Sequence, residues 1–109
     1  MINTKNIRGI FPILYTFFNK NNSIDYKLME EQISLIIKKG SNGIAALGLA
    51  TEVNKLTLKE KIKIIELIAK NSSDLLPKAI TVQSNNYQDY QKLISVAKYN
   101  NVDWLILQP

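Results

Sequence analysis

The sequence has no cysteine and no histidine among its 109 residues, and Arg8 is its one arginine. The absence of cysteine excludes disulfides, a thiol nucleophile and cysteine-ligated metals. The absence of histidine removes the most common general base and the most common neutral metal ligand. The carboxylates stand apart from one another, so no metal site is predicted. Any chemistry must therefore use lysine, tyrosine, threonine, carboxylates or backbone groups.

Positive charge is in excess but scattered along the chain. Fourteen Lys and Arg residues face nine Asp and Glu residues, for a formal net charge of +5. A nucleic-acid-binding surface concentrates its cations and often adds arginine or exposed aromatic side chains. Here Glu52 and Glu60 dilute the positive charge of the densest group of cations, so the pattern favours a solvated, lysine-rich surface without nucleic acid. That group consists of Lys55, Lys59, Lys61 and Lys63.

Long hydrophobic runs are also missing. The longest nearly apolar stretch, residues 43–50, is far shorter than the about 20 residues that span a bilayer. Residues 1–8 are polar and lack the apolar segment and cleavage site of a signal peptide. The apolar fraction of 46% excludes a disordered chain, and the length suits one domain. We therefore expect a soluble, cytoplasmic protein that does not bind a membrane.

Four segments have the composition of buried strands. Residues 9–18 (GIFPILYTFF) are rich in β-branched and aromatic residues. Pro12 cannot donate to a ladder, so regular pairing is expected to start at Ile13. The other predicted strands are residues 43–47, 78–82 and 103–107.

Three segments between these strands have helical periodicity. Asp25 is expected to cap the first helix, and Gly40 follows its end. Thr57 and Glu60 form a capping box for a second helix that runs to about residue 70, and residues 84–86 (SNN) cap the third. The predicted core-facing residues are Leu28, Ile33, Ile36 and Ile37, then Leu58, Ile62, Ile65, Ile68 and Ala69, then Tyr90, Leu93, Ile94 and Ala97.

The predicted order is therefore βαβαβαβ. Predicted strands that start about 25 to 35 residues apart leave room for right-handed crossovers, and their nearly continuous apolar character suits a parallel sheet covered by helices. Two α/β architectures fit this order: an open doubly wound sheet, or part of a (β/α)8 barrel. Periodicity alone does not separate them.

In both architectures, ligands bind beyond the carboxyl ends of the strands. Candidates there are Tyr15 with Thr16, residues 48–54, residues 83–86 and residues 108–109. Gly48 and the small residues after it can expose successive backbone N–H groups that cradle a carboxylate or phosphate. The alternative is a tight turn in which Glu52 accepts hydrogen bonds from loop amides.

Other chemistry finds little support in the pattern. The sequence has no phosphate-binding loop motif and no dinucleotide-binding motif, so no cofactor is predicted. A Schiff-base lysine would have to be desolvated at the carboxyl end of a strand. Lys78 begins a predicted strand and Lys55 lies in a loop, so both are predicted to be solvated.

The chain resembles the dihydrodipicolinate synthase / N-acetylneuraminate lyase family. The matching segments keep their order and spacing over essentially the whole chain. They are residues 9–12, Thr16, Phe18, residues 23–25, residues 43–48, Glu52, residues 56–57, residues 84–86 and Pro109. The resemblance implies a partial TIM (β/α)8 barrel with the first four parallel strands and three helices. The barrel resemblance also implies that the four strands are adjacent in the order 1-2-3-4, with all three helices on one face of the sheet.

The same resemblance implies class I aldolase-type chemistry without a metal or cofactor. A lysine condenses with the keto group of pyruvate or another 2-keto acid, and a tyrosine relays protons. The loop after the second predicted strand holds the substrate carboxylate through backbone N–H groups, a role that carries onto Leu49 and Ala50. Thr51 and Thr16 are further substrate-binding candidates, and Gly48 and Glu52 shape the loop.

This chain departs from the family in that loop. The usual pattern is G-T-T-G-E, whereas residues 48–52 read G-L-A-T-E, and Phe17 stands where proline is frequent. Leu49 and Ala50 thus lack the hydroxyl groups that usually join the proton relay. The departure favours a divergent member that acts on another 2-keto acid or uses a rebuilt relay.

A complete barrel needs roughly 250 residues. Residues 1–109 are therefore interpreted as the amino-terminal half of a barrel lyase, ending after the fourth predicted strand. The Schiff-base lysine and the relay tyrosine would then lie beyond Pro109, and the fragment alone would be inactive. The full enzyme is expected to be a homo-oligomer, a dimer or a tetramer. The alternative is a non-catalytic α/β module that binds a small molecule or a partner.

Overall fold

A computed structural model describes residues 9–48, 55–84 and 86–107, in which helices and strands alternate. The three helices are confirmed, and each begins close to its predicted cap. The elements are α1 (Tyr26–Lys38), β1 (Ile44–Ala46), α2 (Leu58–Lys70), β2 (Lys78–Val82), α3 (Tyr87–Tyr99) and β3 (Trp104–Leu107).

The three strands form one parallel sheet in the order β1-β2-β3. Ala45 pairs with Ala79, and Ala79 pairs with Trp104. Helix α2 packs against both α1 and α3, so the helices follow the strands in the same order. A doubly wound sheet would separate neighbouring helices onto opposite faces and reorder its strands. The observed arrangement is compatible with part of a (β/α)8 barrel.

The predicted four-strand count is not confirmed, because residues 9–18 join the sheet through a single parallel bridge between Ile13 and Ala45. The N–H of Leu14 donates to the Ala45 carbonyl and the N–H of Ala45 donates to the Pro12 carbonyl, both at 2.9 Å. Towards the amino end, Pro12 has no N–H to donate. Towards the carboxyl end, β1 stops at Ala46, because Leu47 has a φ of +63°.

Local capping chemistry explains where the helices begin. Asp25 accepts a hydrogen bond from the N–H of Leu28 at 3.1 Å. Thr57 and Glu60 form both bonds of the predicted capping box, at 2.9 and 3.1 Å. Asn86 caps α3 by accepting from the backbone of residues 88 and 89. Asn85, the other asparagine of that predicted cap, lies outside the described residues.

The core lies between the sheet and the helices, and two details of the predicted faces are wrong. Leu28 is 43% exposed, because five residues along a helix rotate it about 140° away from Ile33, and Met29 takes its place. In α2, Ile64 and Leu67 are buried with the predicted Ile65 and Ile68, whereas the other three predicted residues, Leu58, Ile62 and Ala69, are only partly buried. The predicted face of α3 is confirmed, with Leu93 and Ala97 buried and Tyr90 and Ile94 packed against the core.

Lys78 is buried, with 1% of its surface exposed, which corrects the prediction that it is solvated. Its Nζ donates to the carbonyls of Ser73 and Leu76 at 2.8 and 2.9 Å. Its backbone N–H donates to the Asp103 carboxylate at 2.9 Å. The turn before β2 thus folds its carbonyls over the lysine, at the amino end of the strand. Lys55 is exposed, as predicted.

Candidate functional site

The carboxyl ends of the parallel strands share one edge of the sheet, and two of the predicted site residues are described there. Thr16 precedes the hairpin-like turn into α1, and Gly48 follows β1. Leu49, Ala50, Thr51 and Glu52 lie outside the described residues, so the predicted backbone cradle stays a prediction.

Side chains alternate between two faces along residues 13–17. Leu14 is fully buried in the core with the helices, and Thr16 is also buried, with 6% exposed. Ile13, Tyr15 and Phe17 are exposed, and Tyr15 the most, at 61%. This period of two is that of an extended chain, so the odd-numbered side chains lie on the sheet face away from the helices. We call that surface the free face. Of the candidate pair, Tyr15 therefore lies on the free face and Thr16 on the buried side.

Gln32 of α1 holds the main chain of Tyr15 with two hydrogen bonds. The N–H of Tyr15 donates to Gln32 Oε1 at 2.9 Å, and Gln32 Nε2 donates to the Tyr15 carbonyl at 2.9 Å. Gln32 is not among the residues predicted from the sequence, because a glutamine between core positions of an amphipathic helix has no distinguishing pattern. Only the packing of α1 beside residue 15 gives it this role.

The turn after β1 begins with an unusual backbone conformation. Leu47 is fully buried and has a φ of +63°, in the left-handed region that residues other than glycine rarely adopt. Such conformations persist only where the surrounding structure enforces them, and they cluster at functional sites. The chain leaves the sheet at this residue, and Gly48 starts the predicted substrate loop. Nothing in the composition of the segment signals the turn at Leu47.

Thr81 of β2 lies beside Gly48. A Cβ on Gly48 would be 3.5 Å from Thr81 Oγ1. Strand pairing puts Ile13, Ala45 and Ala79 on one face of the sheet. Thr81 and its partner Ile106 lie on the same face, two residues further towards the carboxyl edge. The available sequence signal was a single hydroxyl residue in the apolar strand KAITV.

Lys61 reaches the carboxyl edge from α2. Its Nζ donates to the carbonyl of Gln83, just after β2, at 3.2 Å. Burial lowers the pKa of Lys61, and the nearby charge of Asp89 partly offsets that shift. No lysine was predicted at this edge, because Lys61 belongs to a helix and only its extended side chain reaches the edge.

Two negative findings apply to residues 9–48, 55–84 and 86–107. No group of three or more potential ligands there could hold a metal ion. None of the helices there has the length and apolar character needed to cross a membrane.

Comparisons with known proteins give the family. The family model for the Dihydrodipicolinate synthetase family matches residues 6–107. The 4-hydroxy-tetrahydrodipicolinate synthase of Karelsulcia muelleri is 34% identical over 102 residues, which cover 94% of this chain and 34% of that protein.

Solved structures share the fold. A catalytic lysine mutant of the Ruminococcus gnavus sialic acid aldolase matches with a TM-score of 0.86 and 22% identity, over 95% of this chain and 35% of that one. A prophage protein of the dihydrodipicolinic acid synthase family from E. coli K12, in complex with pyruvate, matches with a TM-score of 0.83 and 23% identity. The match covers 93% of this chain and 34% of that one. The chain thus spans about a third of the length of these relatives. Because the family match covers nearly all of its residues, this chain belongs to the dihydrodipicolinate synthetase family.

Proposed function

We propose that this chain is the amino-terminal part of a (β/α)8-barrel lyase that forms a Schiff base with pyruvate or another 2-keto acid. The observation that carries this proposal is the family match over residues 6–107. The pyruvate complex of the E. coli relative and the catalytic lysine of the R. gnavus aldolase support it. We further predict that the full protein is a carbon–carbon or carbon–oxygen lyase. Its location in the cytoplasm and its assembly into a homo-oligomer are predictions as well.

In this proposal, the chain binds the substrate carboxylate. The backbone N–H groups of Leu49 and Ala50 donate to it, with Thr51 and the segment at Thr16 alongside. A backbone donor suits this role because it survives the change from threonine to leucine or alanine. The position of Gly48 at the carboxyl edge, directly after the left-handed turn at Leu47, supports the proposal.

The covalent chemistry is assigned to residues beyond Pro109. There, a lysine amine attacks the keto carbon, and loss of the carbonyl oxygen as water gives an imine. A tyrosine moves the protons. The covalent role is not assigned to Lys61, although its side chain reaches this edge, because its Nζ already donates to the carbonyl of Gln83.

Reductive trapping tests the proposed function. The protein expressed from the complete reading frame, and the 109-residue chain separately, are incubated with pyruvate and borohydride, and their intact masses and peptide maps are measured. We expect one modified lysine in the complete product and none in the 109-residue chain. Borohydride without pyruvate is the control.

Three results would contradict parts of the proposal. A reading frame that ends at Pro109 contradicts the assignment to a larger barrel. A specific adduct on Lys61 or Lys55 in the 109-residue chain shows that this segment carries its own nucleophile. An unmodified complete product that still binds pyruvate supports the non-catalytic binding module instead.

A further inference from the structure

We propose that the side chain of Gln32 is a removable cap on the outer edge of residues 13–17. It bonds the backbone of Tyr15 while the 109-residue chain is alone, and it releases that backbone to the strand that closes the barrel. The release rests on the proposed function, because only a complete barrel has a closing strand. The capping rests on the described contacts alone.

The described sheet has two outer edges, and residues 13–17 form one of them. On the inner side of this segment, the N–H of Leu14 and the carbonyl of Pro12 bond Ala45 of β1. The backbone groups of the next residue along an extended chain point to the opposite side. The N–H and C=O of Tyr15 therefore point outward, into the space that the closing strand occupies in a complete (β/α)8 barrel.

Gln32 supplies the two groups that a partner strand would supply at this edge. Its Oε1 accepts from the N–H of Tyr15, and its Nε2 donates to the carbonyl of Tyr15, both at 2.9 Å. A carboxamide has the same kinds of donor and acceptor as a backbone peptide group. Another chain therefore cannot pair with this edge at residue 15 until the side chain of Gln32 leaves.

The cap can be displaced, because both of its bonds lie at an exposed surface where water can replace them. A change of side-chain rotamer moves the amide of Gln32 away without moving α1. The closing strand brings a ladder of several backbone bonds, whereas the cap has two. A whole strand therefore displaces Gln32, and a weaker contact with another molecule does not.

Capping one edge also limits how copies of the 109-residue chain can associate. β3 forms the other edge of the described sheet, and its side chains at positions 105–107 are exposed. Two copies that meet through β3 form a symmetric contact in which each contributes the same surface. A head-to-tail contact instead joins β3 of one copy to residues 13–17 of the next. The cap on Tyr15 blocks the head-to-tail contact and leaves the symmetric one.

Amide hydrogen exchange of Tyr15, followed by NMR, tests the cap in the 109-residue chain. In the wild type, this amide should exchange slowly and at the same rate in dilute and concentrated samples. In Gln32→Ala it should exchange about 2- to 10-fold faster in dilute samples, as expected for the loss of one neutral hydrogen bond. At high concentration the rate should fall again, because β3 of another copy can then pair with this edge.

Controls separate loss of the cap from a general loss of structure. The amide of Ala45, which bonds the Pro12 carbonyl on the inner side of the same segment, should stay protected in every variant. Gln32→Asn keeps the amide on a shorter side chain and should behave like Gln32→Ala. Gln91→Ala removes a glutamine of α3 that bonds the Tyr87 hydroxyl, away from both edges, and should match the wild type.

Adding Ile106→Lys to Gln32→Ala tests the other partner of the head-to-tail contact. A charge on β3 should keep Tyr15 in fast exchange at every concentration. Equal Tyr15 exchange in the wild type and in Gln32→Ala, with Ala45 protected, overturns the cap. Slow exchange at high concentration that Ile106→Lys does not change overturns the pairing of this edge with β3.

The protein from the complete reading frame tests the release. There the closing strand should protect the Tyr15 amide, so Gln32→Ala should leave its exchange rate unchanged. Faster exchange in that variant, as in the 109-residue chain, overturns the release. A complete product that forms no pyruvate adduct contradicts the proposed function instead, and the capping result from the 109-residue chain is unaffected by it.

Discussion

Two glycines near β1 have different reasons to be glycine. A Cβ on Gly43 would lie 2.4 Å from Cε2 of Phe11, whose ring packs edge-on against Trp104 with centroids 6.1 Å apart. The ring cannot withdraw without losing that contact. A Cβ on Gly48 would meet only Thr81 Oγ1, at an ordinary contact distance of 3.5 Å. Gly43 therefore serves packing, whereas the described neighbours of Gly48 leave room for a side chain.

We accordingly expect Gly43→Ala to lower the free energy of unfolding by about 1–3 kcal/mol, the cost of overpacking a filled site. Gly48→Ala should change it by less than about 1 kcal/mol, since alanine also restricts the unfolded chain. Urea unfolding followed by circular dichroism measures both. An equal or larger loss for Gly48→Ala would show that the loop after it forbids a side chain.

Between elements, Lys61 joins α2 to the segment that follows β2. Its Nζ bonds the Gln83 carbonyl, and the charge of Asp89 in the first turn of α3 acts on it as well. Burial nevertheless dominates and lowers the pKa of Lys61 below 10.5. The charged amine is therefore less stable in the folded chain than in the unfolded chain.

This shift predicts how stability depends on pH. As pH rises towards 10.5, the folded chain releases the Lys61 proton before the unfolded chain does, so the unfolded state holds more protons and the free energy of unfolding rises. Burial and the nearby Glu60 raise the pKa of Tyr26, which acts in the opposite direction above pH 10.0. The difference in unfolding free energy between wild type and Lys61→Met removes the Tyr26 contribution.

That difference should grow in favour of the wild type in the alkaline window as pH rises towards 10.5, and be constant near neutral pH. Lys59→Met, on the exposed side of the same helix, controls for the loss of one lysine. A difference that is flat across the window, or that falls with pH, would contradict the burial of the Lys61 amine.

For the molecule as a whole, the helices cover one side of the sheet and leave apolar groups on the other. Tyr15 and Ile106 on the free face are exposed, and β3 is the last strand of the described sheet. Leu105 and Leu107 of β3 are also exposed. An exposed apolar edge strand presents unpaired backbone groups to other chains.

The 109-residue chain is therefore expected to self-associate through β3. Sedimentation velocity over a range of concentrations should show dimers or larger species, and Ile106→Lys should shift them towards monomer by placing a charge on the edge strand. Leu75→Lys, at an exposed turn away from the sheet, is the matched control. A wild-type chain that stays monomeric, or two variants with equal effects, would contradict association at β3.

Local patterns in the sequence were sufficient for the helices and for most of the sheet. The caps at Asp25 and Thr57 form as predicted, because a capping side chain bonds to backbone only two or three residues away. The strand at residues 78–82 has its predicted bounds, since its apolar run and flanking turn are local as well. The family resemblance, confirmed over residues 6–107, also came from the order of short segments along the chain.

Contacts between distant segments determined the rest. The bridge at Ile13, the hydrogen bond from the Lys78 N–H to Asp103, the bonds between Gln32 and Tyr15 and the approach of Thr81 to Gly48 each join residues far apart in the chain, whose meeting no local period specifies. Lys78 shows the reason most clearly. A lysine at the start of a strand is solvated unless the preceding turn aims its carbonyls at the amine. The backbone N–H of Lys78 also bonds the Asp103 carboxylate, which lies at the start of the next strand segment, and residue types along the chain specify neither contact.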